Sequence, residues 1–242
     1  MKKLAITLSI CCASGGAALA QESKPDHELS FNAAVTSDYR YRGISQTRLK
    51  PALQGGADYT HGPTGLYAGT WLSTIRWTKD AGGDGNVEWD IYGGKRGQLS
   101  ASLSYDIGVL GYYYPSNGLR PDANTAEVYG QLGYGPAYLK YSHAVTNLFG
   151  FADSRNSSYV DIGANIDLAE NLQLNLHAGH QYVSRNAAFS YTDWKVGITR
   201  KFGSLTAAVA VLGTSTDSYA GPAPDARNLG RNAVLLTVGK VF

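Results

Sequence analysis

A closely spaced pair of arginines, five histidines and a scatter of carboxylates are the groups through which this 242-residue chain could do chemistry. Arg40 and Arg42 stand two apart in Tyr39-Arg40-Tyr41-Arg42-Gly43. Two guanidinium groups so placed can steer or select a solute at a constriction, or pair with carboxylates and pin a loop; the pairing reading is preferred. Ser142-His143 is the nearest thing to a nucleophile and its base, but adjacent residues on a strand point to opposite faces and cannot form a dyad directly. His177 and His180, three apart, diverge in the same way, so a dyad would have to be built across strands, which stays open. His27 and His61 fall where strands end. Each histidine otherwise reads as a polar residue of a rim or a lumen. The stretch from Asp80 to Glu88 is acidic and glycine-rich but misses the Asp-x-Asp-x-Asp-Gly calcium spacing and reads as an exposed loop. Glu88 and Asp90 share a strand face without needing a catalytic task. A phosphate-cradling loop needs a following helix, and none is predicted. No catalytic, cofactor-binding or metal-binding residue is assigned, and no cofactor is expected.

The elements that position these residues begin after an export signal. Lys2-Lys3, an apolar run from Leu4 to Ala13 and Ala18-Leu19-Ala20 before Gln21 give the three parts of a cleaved secretory signal over 1–20. The run is too short for a bilayer-spanning helix. Ile10 is too large for the position before a lipoprotein cysteine, so Cys11 and Cys12 leave with the signal and the mature chain, 21–242, is free of thiols and disulfides. The 21 basic residues less Lys2 and Lys3 leave 19 against 19 acidic ones, a neutral chain with no electrostatic footprint for nucleic acid. Charged residues are only 17%, against a usual ~25%, and 29 Gly stand beside 17 Tyr. Past residue 20 no apolar run reaches 18 residues, so a membrane role requires a closed β-barrel, which pairs every backbone group without helices.

The hydrophobic period is two. Leu29, Phe31, Ala33 and Val35 alternate with polar neighbours, as do Val87, Trp89 and Ile91, and Leu172, Leu174, Leu176 and Ala178. Strands are expected over 28–37, 51–60, 66–75, 86–93, 99–114, 124–134, 137–145, 158–167, 172–182, 191–201, 205–214 and 232–242. The segment 66–75 is apolar on both faces, which leaves its parity unreadable. Short connections (His61 to Thr64, Gly94-Lys95-Arg96-Gly97, Gly135-Pro136, Leu168 to Asn171, Phe202 to Ser204) alternate with long ones (38–50, 76–85, 115–123, 146–157, 183–190, 215–231). That sorting by parity is the mark of an all-β fold, a transmembrane antiparallel up-and-down barrel of about 12 strands, with periplasmic turns and outer loops. Trp71, Trp89, Trp194 and many tyrosines suit interfacial girdles. Arg200 and Lys240 face lipid near the periplasmic ends, where long side chains snorkel.

Parity turns Asp58, Glu88, Asp90, Asp106, Glu127, Asp161 and Asp193 inward, with Lys140 and Lys195. Together with Arg40 and Arg42 these are the expected pore-lining residues, and their acid excess implies a mild cation preference. The chain ends in Phe242 after Val234, Leu236 and Val238. A terminal aromatic on an alternating strand resembles the signal read by the barrel assembly machinery, with Lys240 at a place where that pattern usually carries an apolar residue.

Several stretches resemble the TorF-type family, a proteobacterial outer-membrane group whose members are taken to be porins. They are Ser37-Asp38-Tyr39-Arg40-Tyr41-Arg42-Gly43-Ile44-Ser45-Gln46, Pro51-Ala52-Leu53-Gln54-Gly55, Gly65-Leu66-Tyr67-Ala68-Gly69-Thr70-Trp71, Glu88-Trp89-Asp90-Ile91-Tyr92-Gly93-Gly94, Tyr105-Asp106-Ile107-Gly108 and Tyr112-Tyr113-Tyr114-Pro115. They cover the first half of the mature chain; the second half matches by strand pattern. The resemblance implies an outer-membrane barrel and a channel, and brings no catalytic residues. The expected function is passive diffusion of small polar solutes through the outer membrane of a Gram-negative bacterium, with outer-membrane lipid, the assembly machinery and the solute as partners. The alternative is a barrel enzyme acting on lipids, of phospholipase or lipid A deacylase type, and a third reading is a soluble periplasmic β protein.

Overall fold

The computed structural model describes residues 25–224 and 226–242. The expected signal, with Cys11 and Cys12, lies outside the described residues. The strands are β1 (His27–Thr36), a small pair β2 (Arg40–Tyr41) and β3 (Ile44–Ser45), β4 (Ala52–His61), β5 (Leu66–Thr74), β6 (Val87–Gln98), β7 (Leu103–Tyr113), β8 (Thr125–Tyr134), β9 (Ala137–Ala144), β10 (Ser158–Ala169), β11 (Leu172–Tyr182), β12 (Tyr191–Phe202), β13 (Leu205–Thr214) and β14 (Ala233–Val241). Apart from β2 and β3, they form one closed antiparallel barrel in which neighbours in sequence are neighbours in space. Closure runs through β1, which pairs with β4 on one side and β14 on the other, so the wall has no open edge. A one-turn helix, α1 (Trp77–Asp80), sits in the second long loop.

Alternation decides which way each residue faces. Along β14, Val234, Leu236 and Val238 point outward and are more than half exposed, while the residues between them turn in. Leu53, Ile107, Ile162 and Val196 also point outward and are exposed elsewhere, so the outer face is an apolar belt. The connections sort by end: the turns at 62–65, 99–102, 135–136, 170–171 and 203–204 lie at one end, and the six long loops at the other.

Two expectations fail. Gly94-Lys95-Arg96-Gly97 is not a turn; β6 continues through it to Gln98 and the chain reverses at 99–102, where Leu99 N donates to the Leu103 carbonyl at 2.8 Å. Leu99 and Ala101 therefore belong to the turn, not to a strand. Gly94 lies opposite Tyr67, and a Cβ there would collide with the Ile107 carbonyl and stand 2.6 Å from the Tyr67 hydroxyl. The glycine makes room for a ring, not for a reversal. The same pairing recurs across the wall: Tyr92 lies over Gly69, Tyr129 over Gly108 and Tyr138 over Gly163, each directly opposite in register. Rings laid along the wall over glycines account for part of the chain's content of both residues, and they keep the lumen from filling. The second failure is Trp71, which points into the barrel, its ring 5.2 Å from that of Tyr39. Its strand is apolar on both faces, because Tyr67, Gly69 and Trp71 line the interior while Leu66, Ala68 and Leu72 face out. Trp89 and Trp194 do face outward. Arg200 and Lys240 also face out, over the rings of Phe202 and Phe242.

Candidate functional site

The interior divides into two halves. In the half nearer the long loops, residues 37–50 do not stand above the barrel but fold into it. Gly43, at φ +80°, reverses the chain between β2 and β3. A Cβ at that glycine would collide with Asp193 of β12 and Thr214 of β13, so the loop lies tight against that wall. At the other end of the same hairpin the Tyr39 hydroxyl donates to Glu88 of β6 at 2.5 Å. β6 and β12 are six places apart in a ring of twelve strands, so the hairpin crosses the full width of the lumen. Burial, with the charges of Glu88 and Asp90 alongside, pushes the Tyr39 phenol well above its usual range, so it stays a donor.

Arg42 locks this crossing. Its two terminal nitrogens donate to both oxygens of Glu127 on β8, at 3.0 and 2.7 Å, and one also donates to Gln181 Oε1 on β11 at 2.7 Å. The guanidinium lies 4.3 Å from the ring centre of Tyr159 and 4.8 Å from that of Tyr41. Both partners of the ion pair are almost fully buried. A planar fork that meets a carboxylate bidentately and stacks on aromatic faces is a role lysine could not fill. Arg40 does something different. It pairs with Asp38 at 2.5 Å and donates to the carbonyls of Gly43 and Leu229, tying the first loop to the last. Arg48 pairs with Asp80 of α1 and ties it to the second.

The half nearer the short turns is more open and less bonded. Tyr92 donates to Asp58 at 2.6 Å, Tyr67 donates to Asp106 at 2.5 Å and also meets Tyr129. Lys140 lies over the Tyr129 ring. A cavity of about 300 Å³ occupies this half, bounded by Ser30, Asn32, Gln54, Asp58, Trp71, Tyr92 and Thr199. Between the halves, His177 on β11 has Asp161 at one ring nitrogen (2.8 Å) and Asp193 at the other (2.7 Å), and Tyr159 donates to Asp193 at 2.8 Å.

All seven inward acids, with Lys140 and Lys195, lie on the barrel's inner face, but they are not equivalent. Glu88, Asp90, Glu127 and Asp193 are buried under the crossing loop. Asp58, Asp106 and Asp161 face the open part of the lumen, as does Lys195, which is exposed and opposite His177 in register. Arg96 was not among the expected residues, because Gly94 to Gly97 reads as a turn. It faces inward opposite Asp106, donates to Thr60 at 3.0 Å and lies over the Tyr67 ring. Continued alternation through Lys95 and Arg96 was the signal that could have found it. With Arg42 and Arg96 inside, the acid excess is smaller than parity alone implies.

The histidines do not support a hydrolytic dyad. Their side-chain hydrogen bonds go to Tyr59 (His27), Thr64 (His61), Tyr141 and Asn156 (His143), Thr192 (His180), and the Asp161, Asp193 and Tyr159 cluster (His177). Among the described residues no group of three or more His, Cys, Asp or Glu is arranged to hold a metal ion.

Comparison with solved structures finds the same architecture. The chain superposes on the KdgM porin with a TM-score of 0.57 at 6% identity, over 88% of this chain and 97% of that one. A second KdgM porin structure, in complex with disordered oligogalacturonate, gives 0.58 at 6% identity over 88% and 98%. The NanC porin gives 0.56 at 12% identity over 88% and 99%. At such identities the likeness is one of fold. No curated protein matches the chain. A family model described as a bacterial protein of unknown function (Gcw_chp) matches residues 20–242, nearly the whole of it, and the chain belongs to that family.

Proposed function

We propose that this barrel is a porin-like channel of the outer membrane of a Gram-negative bacterium, through which small polar solutes diffuse passively. The observation that carries the reading is the inversion of polarity across the wall: an apolar belt outside, and tyrosine hydroxyls, amides and charges inside. A soluble barrel buries the opposite face; a lipid-embedded one must present this arrangement. The porin folds above support the same reading, and the oligogalacturonate in one of them supports a polar solute. The narrower TorF-type assignment rests on the 37–46 stretch, whose residues build the crossing loop.

In this reading residues 1–20 are the cleaved signal and 21–242 the barrel, the short turns are periplasmic and the long loops are outside. Arg42 belongs to the constriction, Arg40 ties the loops above it, and Asp58, Asp106, Asp161, Lys140 and Lys195 line the wider path. Glu88, Asp90, Glu127 and Asp193 hold the constriction in place. Phe242 is the mark read by the assembly machinery, and deleting it should lower barrel yield while leaving export intact; unchanged yield would remove that role. The test of function is conductance of the refolded barrel in a planar bilayer, with a panel of solutes. Discrete conductance steps are expected; a barrel that inserts and carries no current ends the reading. Tags at 99–102 should stay hidden on intact cells and tags at 215–231 should be reached, and the reverse pattern would invert the orientation.

A further inference from the structure

A second cavity, of about 410 Å³, lies among the long loops above the crossing hairpin. Its size falls within the ~300–1,000 Å³ range of small-molecule sites. Its character differs from that of the lumen. The lining is a run of rings in edge-to-face contact: Trp77 with Tyr114 (5.0 Å between centres), Tyr114 with Phe149 (6.3 Å), Phe189 with Tyr219 (5.6 Å) and Tyr219 with Tyr191 (5.4 Å). In an edge-to-face pair one ring offers its edge rather than its face, so the pairing does not use both faces of every ring.

The polar groups of the lining are mostly committed elsewhere. Asp80 is paired with Arg48. Gln181 accepts from Arg42 and donates to the carbonyls of Ser158 and Tyr182. The hydroxyls of Ser45, Ser218 and Tyr219 are given to Asp38, the Ala188 carbonyl and the Phe189 carbonyl. Arg120 is exposed at the cavity's edge. Two lining groups are uncommitted: the Trp77 indole N–H, which is buried without a partner, and the hydroxyl of Tyr191, which lines the cavity at 5% exposure and has no hydrogen-bond partner among the described residues.

We propose that this cavity is a binding site for an uncharged aromatic solute bearing one hydrogen-bonding substituent, held by ring stacking and by the Tyr191 hydroxyl. A sugar of the same size would bring several hydroxyls into a lining with almost nothing left to offer, at about 1–3 kcal/mol for each one stripped of water and left unpaired. An anion would meet the acids of the lumen below. As a statement about what the barrel admits, this rests on the channel reading; as a statement about binding, it stands on the cavity.

The test uses the full barrel in lipid nanodiscs, with empty nanodiscs subtracted, and titrates 2-naphthol against decahydro-2-naphthol, which has the same outline without the π faces, and against glucose. Saturable binding of 2-naphthol is expected, about tenfold tighter than decahydro-2-naphthol, the worth of one or two stacking contacts. Phe189→Leu and Tyr191→Phe should each weaken it, and Tyr92→Phe, in the other half of the lumen, should not. Equal affinity for the two alcohols, preference for glucose, or binding indifferent to Phe189→Leu and Tyr191→Phe would each overturn the proposal. Conductance of the same preparation is read separately. Current without 2-naphthol binding removes the site and keeps the channel; binding without current does the reverse.

Discussion

The two halves of the lumen are built from the same strands and differ in what fills them. Toward the long loops, the hairpin at 37–50 reaches walls on opposite sides of the barrel, and the polar contacts there are buried and mostly paired, with Arg40 Nη2, Trp77 Nε1 and Asp90 Oδ1 left without partners. Toward the short turns, the same inward positions carry tyrosine–carboxylate pairs along the wall and leave open space. A β-barrel wall specifies only that alternate residues point in. Whether they enclose a passage or a plug depends on what the loops bring to them.

The largest test of this contrast removes the crossing. Replacing Tyr39–Thr47 by a short Gly-Ser turn leaves every wall pairing in place, so the barrel should still fold and its conductance should rise several-fold. An unchanged conductance would show that the loop does not limit the path. Next comes the lock itself. Arg42→Ala leaves Glu127 buried without its partner and should destabilise the barrel by about 3–5 kcal/mol in urea unfolding. Arg42→Met with Glu127→Met should recover most of that, because replacing both charges with apolar groups removes the unpaired charge. If the double variant is no better than the single one, the pair is not the fastening.

In the other half the tests are smaller. Gly108→Val puts a Cβ 2.6 Å from both the Tyr129 hydroxyl and the Gly93 carbonyl oxygen, so the ring must move toward the lumen and the neighbouring strand must shift. It should cost about 1–3 kcal/mol by overpacking and lower the single-channel conductance. A conductance equal to that of the native protein would mean the tyrosines do not border the path. Smallest is the charge effect. Asp58→Asn with Asp161→Asn should move the reversal potential in a KCl gradient slightly toward anions, an effect that fades as salt shortens the ~8 Å screening length. A shift toward cations would mean that Arg42 and Arg96, not the wall acids, set the local field.

The legibility of the chain follows the same division. Alternation along a strand is a local property, so facing could be read residue by residue: Asp58, Glu127 and Lys195 needed only their neighbours in sequence. Trp71 could not be read that way, because both faces of its strand are apolar, and Arg96 was obscured because flanking glycines mimic a turn. Glycine opposite tyrosine is a relation between strands, visible only once the register is known. The interaction of Arg42 with Glu127 and Gln181 joins positions 85 and 139 residues apart, and which partners it finds is a matter of which wall the hairpin meets.

By itself, then, the sequence determined the strand count, the facing of most strand residues and the sorting of loops by end, because period and turn chemistry act over a few residues. Only the tertiary structure decided that the first long loop folds inward, that four of the seven inward acids are buried beneath it, and that the rings of the other loops enclose a cavity of their own. Those outcomes depend on closure of the barrel, which brings β6 and β12 to a distance that one hairpin can span.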